Sequence, residues 1–249
     1  MDLNSHTARV QALMSRMPQF AQATFPAGVR WFRYQAPWDL DTAMETTAGQ
    51  LWVTYWPKSS TSHPPEYFGQ LYGGVIRHYV LPKEPYYFLK LDNYTGAFPI
   101  VDGYPYDPWV HLRWAVLPNG SLINASNLPR NQLGSDRPIL CKQGSPQGAV
   151  ALYGLLPSGQ WQPLLTWRVW QAATMGIWQY SPNYPLECAG RFNGRFLVWY
   201  DTAGQGAIFV VHQGKAEPFT SGRPYLITDK TMLLAGGPGQ DWIIEAHAP

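Results

Sequence analysis

The chain has 249 residues, a formal net charge of +2 and 14% charged side chains, against roughly 25% in a typical soluble domain. That balance gives no electrostatic reason to expect nucleic acid or an acidic membrane surface as a partner. Aromatics reach 15% with 12 Trp, which excludes a disordered chain, and 23 Gly with 23 Pro suit many turns and few long helices.

Residues 2–17 are predicted to form a helix. Val10, Leu13, Met14 and Met17 share one face, Asn4 or Ser5 is the cap, and Pro18 is the stop. This stripe either seals the edge of a sheet or docks on a neighbouring subunit, and it is the candidate partner-binding face. The start of the chain shows no basic segment followed by an apolar one, so no secretory leader is expected. No apolar run reaches the roughly 18 residues of a membrane-spanning helix.

Residues 29–34 and 51–56 read as strands. Between them lie Asp39, Asp41 and Glu45, without the glycine and further oxygen ligands of a calcium loop, so a capped helical turn starting at Asp39 or Asp41 is expected. Residues 58–66 form a Ser/Pro loop. A hairpin follows, 75–81 with 86–91, turning at Pro82 to Pro85.

Residues 92–107 read as a long irregular stretch, and such loops are often functional. Tyr94, Phe98, Asp102, Tyr104, Tyr106 and Asp107 make it the candidate ligand loop. Aromatic rings stack on sugars and carboxylates bond their hydroxyls; the alternative is that the tyrosines fold back onto the sheet.

Residues 109–117 form a strand that turns at Pro118-Asn119-Gly120 into 121–124. A similar phrase recurs at 148–156, Pro157-Ser158-Gly159 and 160–165, roughly 40 residues on, near the period of a propeller blade. Residues 143–186 carry one charge, Arg168, and read as strands joined by Gly/Pro turns. Their Trp161, Trp170, Trp178, Tyr180 and Tyr184 form the candidate interface. Residues 191–213 are the clearest hairpin: two β-rich runs, apolar on both faces, flank Thr202 to Gly206. Short strands at 225–228, 231–234 and 242–245 complete the chain. Cys141 and Cys188 either pair or remain as buried thiols, and spacing does not decide between the two.

The common catalytic phrases are missing: paired His on a helix, Cys-x-x-Cys, a phosphate loop, a nucleophile elbow. His78, His111 and His212 fall in predicted strands without a local pairing motif, so neither metal nor cofactor is expected. Asp102 with Asp107, or Asp92 with Asp102, makes an acid/base pair for glycoside cleavage if the fold brings them face to face. Asn93, Asn119 and Asn124 stand in glycosylation triplets, which matter only in a secreted eukaryotic protein.

The fold class expected is mainly β: antiparallel hairpins in a sandwich or barrel-like arrangement with one N-terminal amphipathic helix, a partial propeller being the alternative. Residues 1–27 form the helical segment and 28–249 the β-rich part, divided into two subdomains near 127–137. So few charges beside so many aromatics point to a non-catalytic structural subunit of a large assembly. A virion component such as a phage tail, neck or decoration protein is its concrete form. Other protein subunits are then the partners, in a homo-oligomer or a hetero-assembly. A glycan-binding β module and a glycoside hydrolase are the two alternatives.

Overall fold

A computed structural model describes residues 3–18, 21, 24–58, 64–91, 95–128, 139–177, 186, 188–202, 205–236 and 242–249. The chain is mainly β, in antiparallel sheets, with two helices among the described residues. It divides into two compact units. Unit 1 comprises Met1–Arg30, Pro138–Asp241 and Ala246–Pro249, and unit 2 comprises Trp31–Arg137 and Trp242–Glu245.

Helix α1 (Leu3–Arg16) belongs to unit 1. Leu13 is 2% exposed inside that unit's core, and Val10, Met14 and Met17 pack against it. The stripe therefore packs against the core of its own unit, with Leu13 buried and Val10, Met14 and Met17 half-buried.

Unit 2 begins within β1 (Arg30–Gln35), at Trp31. Next, β2 (Trp38–Thr46), β3 (Leu51–Pro57), β4 (Tyr67–Tyr72) and β5 (Val75–His78) form an antiparallel meander. β6 (Tyr86–Leu91) starts a second sheet, and β7 (Thr95–Gly96) returns to the first as a short parallel edge beside β2. β8 (Ile100–Pro105), β9 (Leu112–Val116) and β10 (Leu122–Asn124) complete the second sheet in the order β10-β9-β8-β6. The core takes Met44, Trp52 and Phe68 from the first sheet and Tyr86, Leu89, Leu91, Val101 and Val116 from the second, a sandwich-like arrangement.

Two expectations are corrected here. The helical turn at Asp39 or Asp41 is strand β2: Trp38, Leu40 and Met44 are buried, and pairing with β3 outweighs local capping by the carboxylates. The irregular stretch 92–107 holds β7 and β8. Gly103 sits where an added Cβ would lie 2.5 Å from the Leu89 side chain and 2.7 Å from the Phe88 carbonyl, so the glycine serves strand packing.

In unit 1, β11 (Cys141–Gln143), β12 (Val150–Leu155) and β13 (Trp161–Thr166) form one antiparallel sheet. Helix α2 (Trp167–Ala173) follows, capped by Thr166, whose hydroxyl accepts from the Val169 N–H at 3.3 Å. This helix corrects the strands-and-turns reading of residues 143–186. β14 (Cys188–Phe192), β15 (Arg195–Thr202), β16 (Gln205–His212) and β17 (Lys215–Ser221) form a four-stranded meander, and β18 (Arg223–Ile227) pairs with β19 (Thr231–Ala235). In β20 (Trp242–His247), Trp242–Glu245 belongs to unit 2 and lies beside β1.

The β15–β16 hairpin is buried on both faces: Leu197, Val198 and Ala207 to Val211 are fully covered. The two Leu-Pro-x-Gly turns are alike. Gly120 and Gly159 both have φ +81, and each N–H donates back to the leucine three residues earlier. Meanders of consecutive strands are the local plan of a propeller blade as well as of a sandwich layer.

Cys141 and Cys188 are bonded, joining β11 to β14 inside unit 1. The bridge closes 47 residues of chain, and breaking it is expected to cost about 4 kcal/mol from chain entropy. Urea unfolding with and without a reductant measures this. A midpoint that reductant leaves in place would show that the cysteines are not joined.

Candidate functional site

The outer face of β6, β8 and β9 in unit 2 and the turn after β8 gather five exposed large hydrophobic side chains. Cross-strand register places Phe88 beside Tyr104, and Lys90 and Arg113 on either side of Asp102. A bulge between Tyr86 and Phe88 inserts Tyr87 as an extra residue, so consecutive aromatics both reach the exterior while Tyr86 stays buried. The turn after β8 adds Tyr106, Trp109 and Val110. Exposure across Tyr87, Phe88, Tyr106, Trp109 and Val110 runs from 41% to 59%, with Trp109 the highest.

These rings support one another. Tyr104 stacks on Trp109 at 5.4 Å, and Tyr87 meets Trp109 edge-on at 5.0 Å and Tyr106 at 5.7 Å. At the margin, Nε2 of His111 lies 2.7 Å from Oδ1 of Asp102, and Nε of the buried Arg113 lies 3.8 Å from Oδ2. The carboxylate thus faces two basic groups. Arg113 in turn donates to the Leu128 carbonyl at 3.2 Å.

A buried carboxyl sits elsewhere in the same unit. Glu66 is 4% exposed, and its Oε2 accepts from the Leu89 N–H at 2.6 Å. Burial pushes its pKa up to about 8. The hydrogen bonds of Leu89 and Thr54 oppose that rise, and the neighbouring Asp41 adds to it by repelling the charge and accepting from the acid form. Glu245 is buried as well, but it accepts from the Gly73 and Gly74 N–H groups at 2.8 and 3.1 Å and from the Tyr34 hydroxyl at 3.1 Å. Burial, then the charge of Glu245, drives the Tyr34 phenol well above its ordinary range.

Of the residues named from sequence for a ligand loop, Asp102, Tyr104 and Tyr106 lie on the aromatic face, and Asp107 is exposed in the turn beyond it. Phe98 is half-buried and lines a separate cleft, and Tyr94 lies outside the described residues. Tyr87, Phe88, Trp109 and His111 were missed, because only the bulge and the register bring them to this face. Of the candidate interface residues, Trp170 is a correction: it is fully buried in the unit 1 core, edge-on to Phe209 at 5.2 Å. Trp161 is exposed, with the Lys142 ammonium 4.6 Å above its ring. Trp178, Tyr180 and Tyr184 lie outside the described residues, as does Asp92. His78, His111 and His212 each face a different carboxylate, Glu84, Asp102 and Glu217.

No family model, no curated protein and no solved structure matches this chain.

Glu66 generates a pH prediction. Its pKa is raised from 4.5 when unfolded to about 8 when folded, so the neutral form stabilises the fold fully below 4.5. That stability is lost as pH rises towards about 8. Glu66→Gln keeps a neutral side chain, so its thermal midpoint is expected to stay level across this window while the parent's falls. Equal slopes for the two proteins would contradict the assignment.

Proposed function

We propose that this protein is a non-catalytic subunit of a protein assembly, associating through the outer face of β6, β8 and β9 with a second copy of the chain as partner. The observation that carries this reading is the contiguous exposure of Tyr87, Phe88, Tyr106, Trp109 and Val110. Contiguous exposed apolar patches mark interaction sites, and interface cores are rich in Tyr, Trp and Phe and poor in charge. Asp102, His111 and Lys90 border the patch as a polar rim.

Charge favours self-association. A net charge of +2 leaves little repulsion between copies. Tyr104 has one ring face taken by Trp109, which suits a packed aromatic anchor better than an open platform for sugars. The Cys141–Cys188 bridge suits a chain that works outside a reducing cytosol. A virion tail, neck or decoration component is the concrete form of this reading, since virion surfaces are such an environment.

Light scattering over a dilution series tests the proposal. The parent is expected to be a dimer or larger, and Trp109→Ser is expected to weaken association about thirtyfold, the loss of one interfacial hot spot. Trp109 is the most exposed ring of the patch, so the variant's circular dichroism should match the parent's. A parent that remains monomeric at every concentration would remove the reading.

A further inference from the structure

A second surface of unit 2 has a different chemistry. A cleft of about 360 Å³ opens between the first sheet and the segments at 97–99 and 116–120. Its floor is one transverse row of the sheet. Trp52 on β3 pairs with Gln70 on β4, and Gln70 pairs with Arg77 on β5, so all three side chains share one face. Gln50 and Asn119 stand at its edges and Phe98 forms part of the opposite wall.

The aromatic part of the floor is rigid. Trp52 stacks on Phe68 at 5.0 Å with 17° between the rings, and the Tyr79 ring meets it edge-on at 5.9 Å. The Tyr79 hydroxyl donates to the Gly120 carbonyl and ties the β9–β10 turn to the sheet. The polar part is unspent. Gln50, Gln70 and Arg77 make no side-chain hydrogen bond or ion pair with another described residue. The buried indole N–H of Trp52 also finds no acceptor. The Asn119 amide oxygen accepts from the Ser121 N–H at 3.0 Å and the Ser121 hydroxyl at 2.6 Å, which leaves its NH₂ donors open.

We infer that this cleft binds an acidic saccharide, one sugar unit bearing a carboxylate. Its volume lies at the lower end of the range for small-ligand pockets, about 300–1,000 Å³. Trp52 is 6% exposed and supports the floor from beneath, while the half-buried rings of Tyr79 and Phe98 offer the surface for the apolar face of a sugar. Carboxamides supply paired donors and acceptors for hydroxyls, as neutral polyols need. The guanidinium selects charge: Arg77 is the one ionised group among the described lining residues, none of which is a carboxylate. A planar fork without an acidic partner is suited to bidentate recognition of a ligand carboxylate. The cleft lies between the two sheets of unit 2, apart from the aromatic face, so the inference stands independently of self-association.

Calorimetric titration of the full chain with D-glucuronate and N-acetylneuraminate tests it, with D-glucose as the neutral control. At least one acid is expected to bind more tightly than glucose and to weaken as salt is raised. Arg77→Gln, a change at an exposed position, should cost about tenfold in affinity for the acid, as the loss of one charge-assisted hydrogen bond does, and leave glucose unchanged. Gln70→Ala should weaken both sugars. Absence of binding by either acid, or acid binding that Arg77→Gln leaves intact, would overturn the inference.

Discussion

The register of β6, β8 and β9 is the constraint on which the surface of unit 2 depends. Side chains alternate along a strand, so the residues driven inward determine those left outward. Leu89, Leu91, Val101 and Val116 bury one face of this sheet, with Tyr86 held by its hydroxyl's bond to the Pro82 carbonyl at 2.6 Å. Phe88, Lys90, Asp102 and Tyr104 must then occupy the other face. A slip of one residue would bury Lys90 and Asp102 and expose Leu89 and Val101, at a cost of several buried apolar side chains. The aromatic exterior is thus tied to the core beneath it.

Scarcity of charge is distributed unevenly, and the distribution is informative. The buried carboxylates are handled in different ways. Glu245 is met by three donors, whereas Glu66 is buried beside Asp41, and burial pushes its pKa up. Arg191 forms a bidentate pair with Asp229 at 2.7 and 2.6 Å and also donates to the Leu155 carbonyl, joining three segments of unit 1. On the outer face of β6, β8 and β9, Asp102 lies between Lys90 and Arg113 beside the aromatic rings. The cleft differs: among the described residues that line it, none is an acid opposite Arg77.

Parts of this molecule were legible from residues alone where one local rule acted without competition. The helical spacing of Val10, Leu13, Met14 and Met17 announces α1, and the doubly apolar runs of β15 and β16 announce a covered hairpin. Glycine at positive φ identifies both Leu-Pro-x-Gly turns. Strand β2 was hidden because its bulge between Leu40 and Ala43 breaks the alternation while its carboxylates mimic a helix cap. Helix α2 spans seven residues, too short to show two turns of periodicity. In the candidate site, Asp102, Tyr104 and Tyr106 were visible as a cluster in sequence, but Tyr87 and Trp109 join them only through the fold. The transverse row Trp52–Gln70–Arg77 had no local signature, because its members come from three strands.

In the proposed assembly the protein binds its own kind through the aromatic face of β6, β8 and β9. Hydroxyl-radical footprinting across a dilution series addresses it most directly. Tyr87, Tyr106 and Trp109 should be labelled in dilute protein and become protected as concentration rises, while the exposed Val75 and Ile139 keep constant labelling. Labelling of the three rings that does not change with concentration would contradict the account.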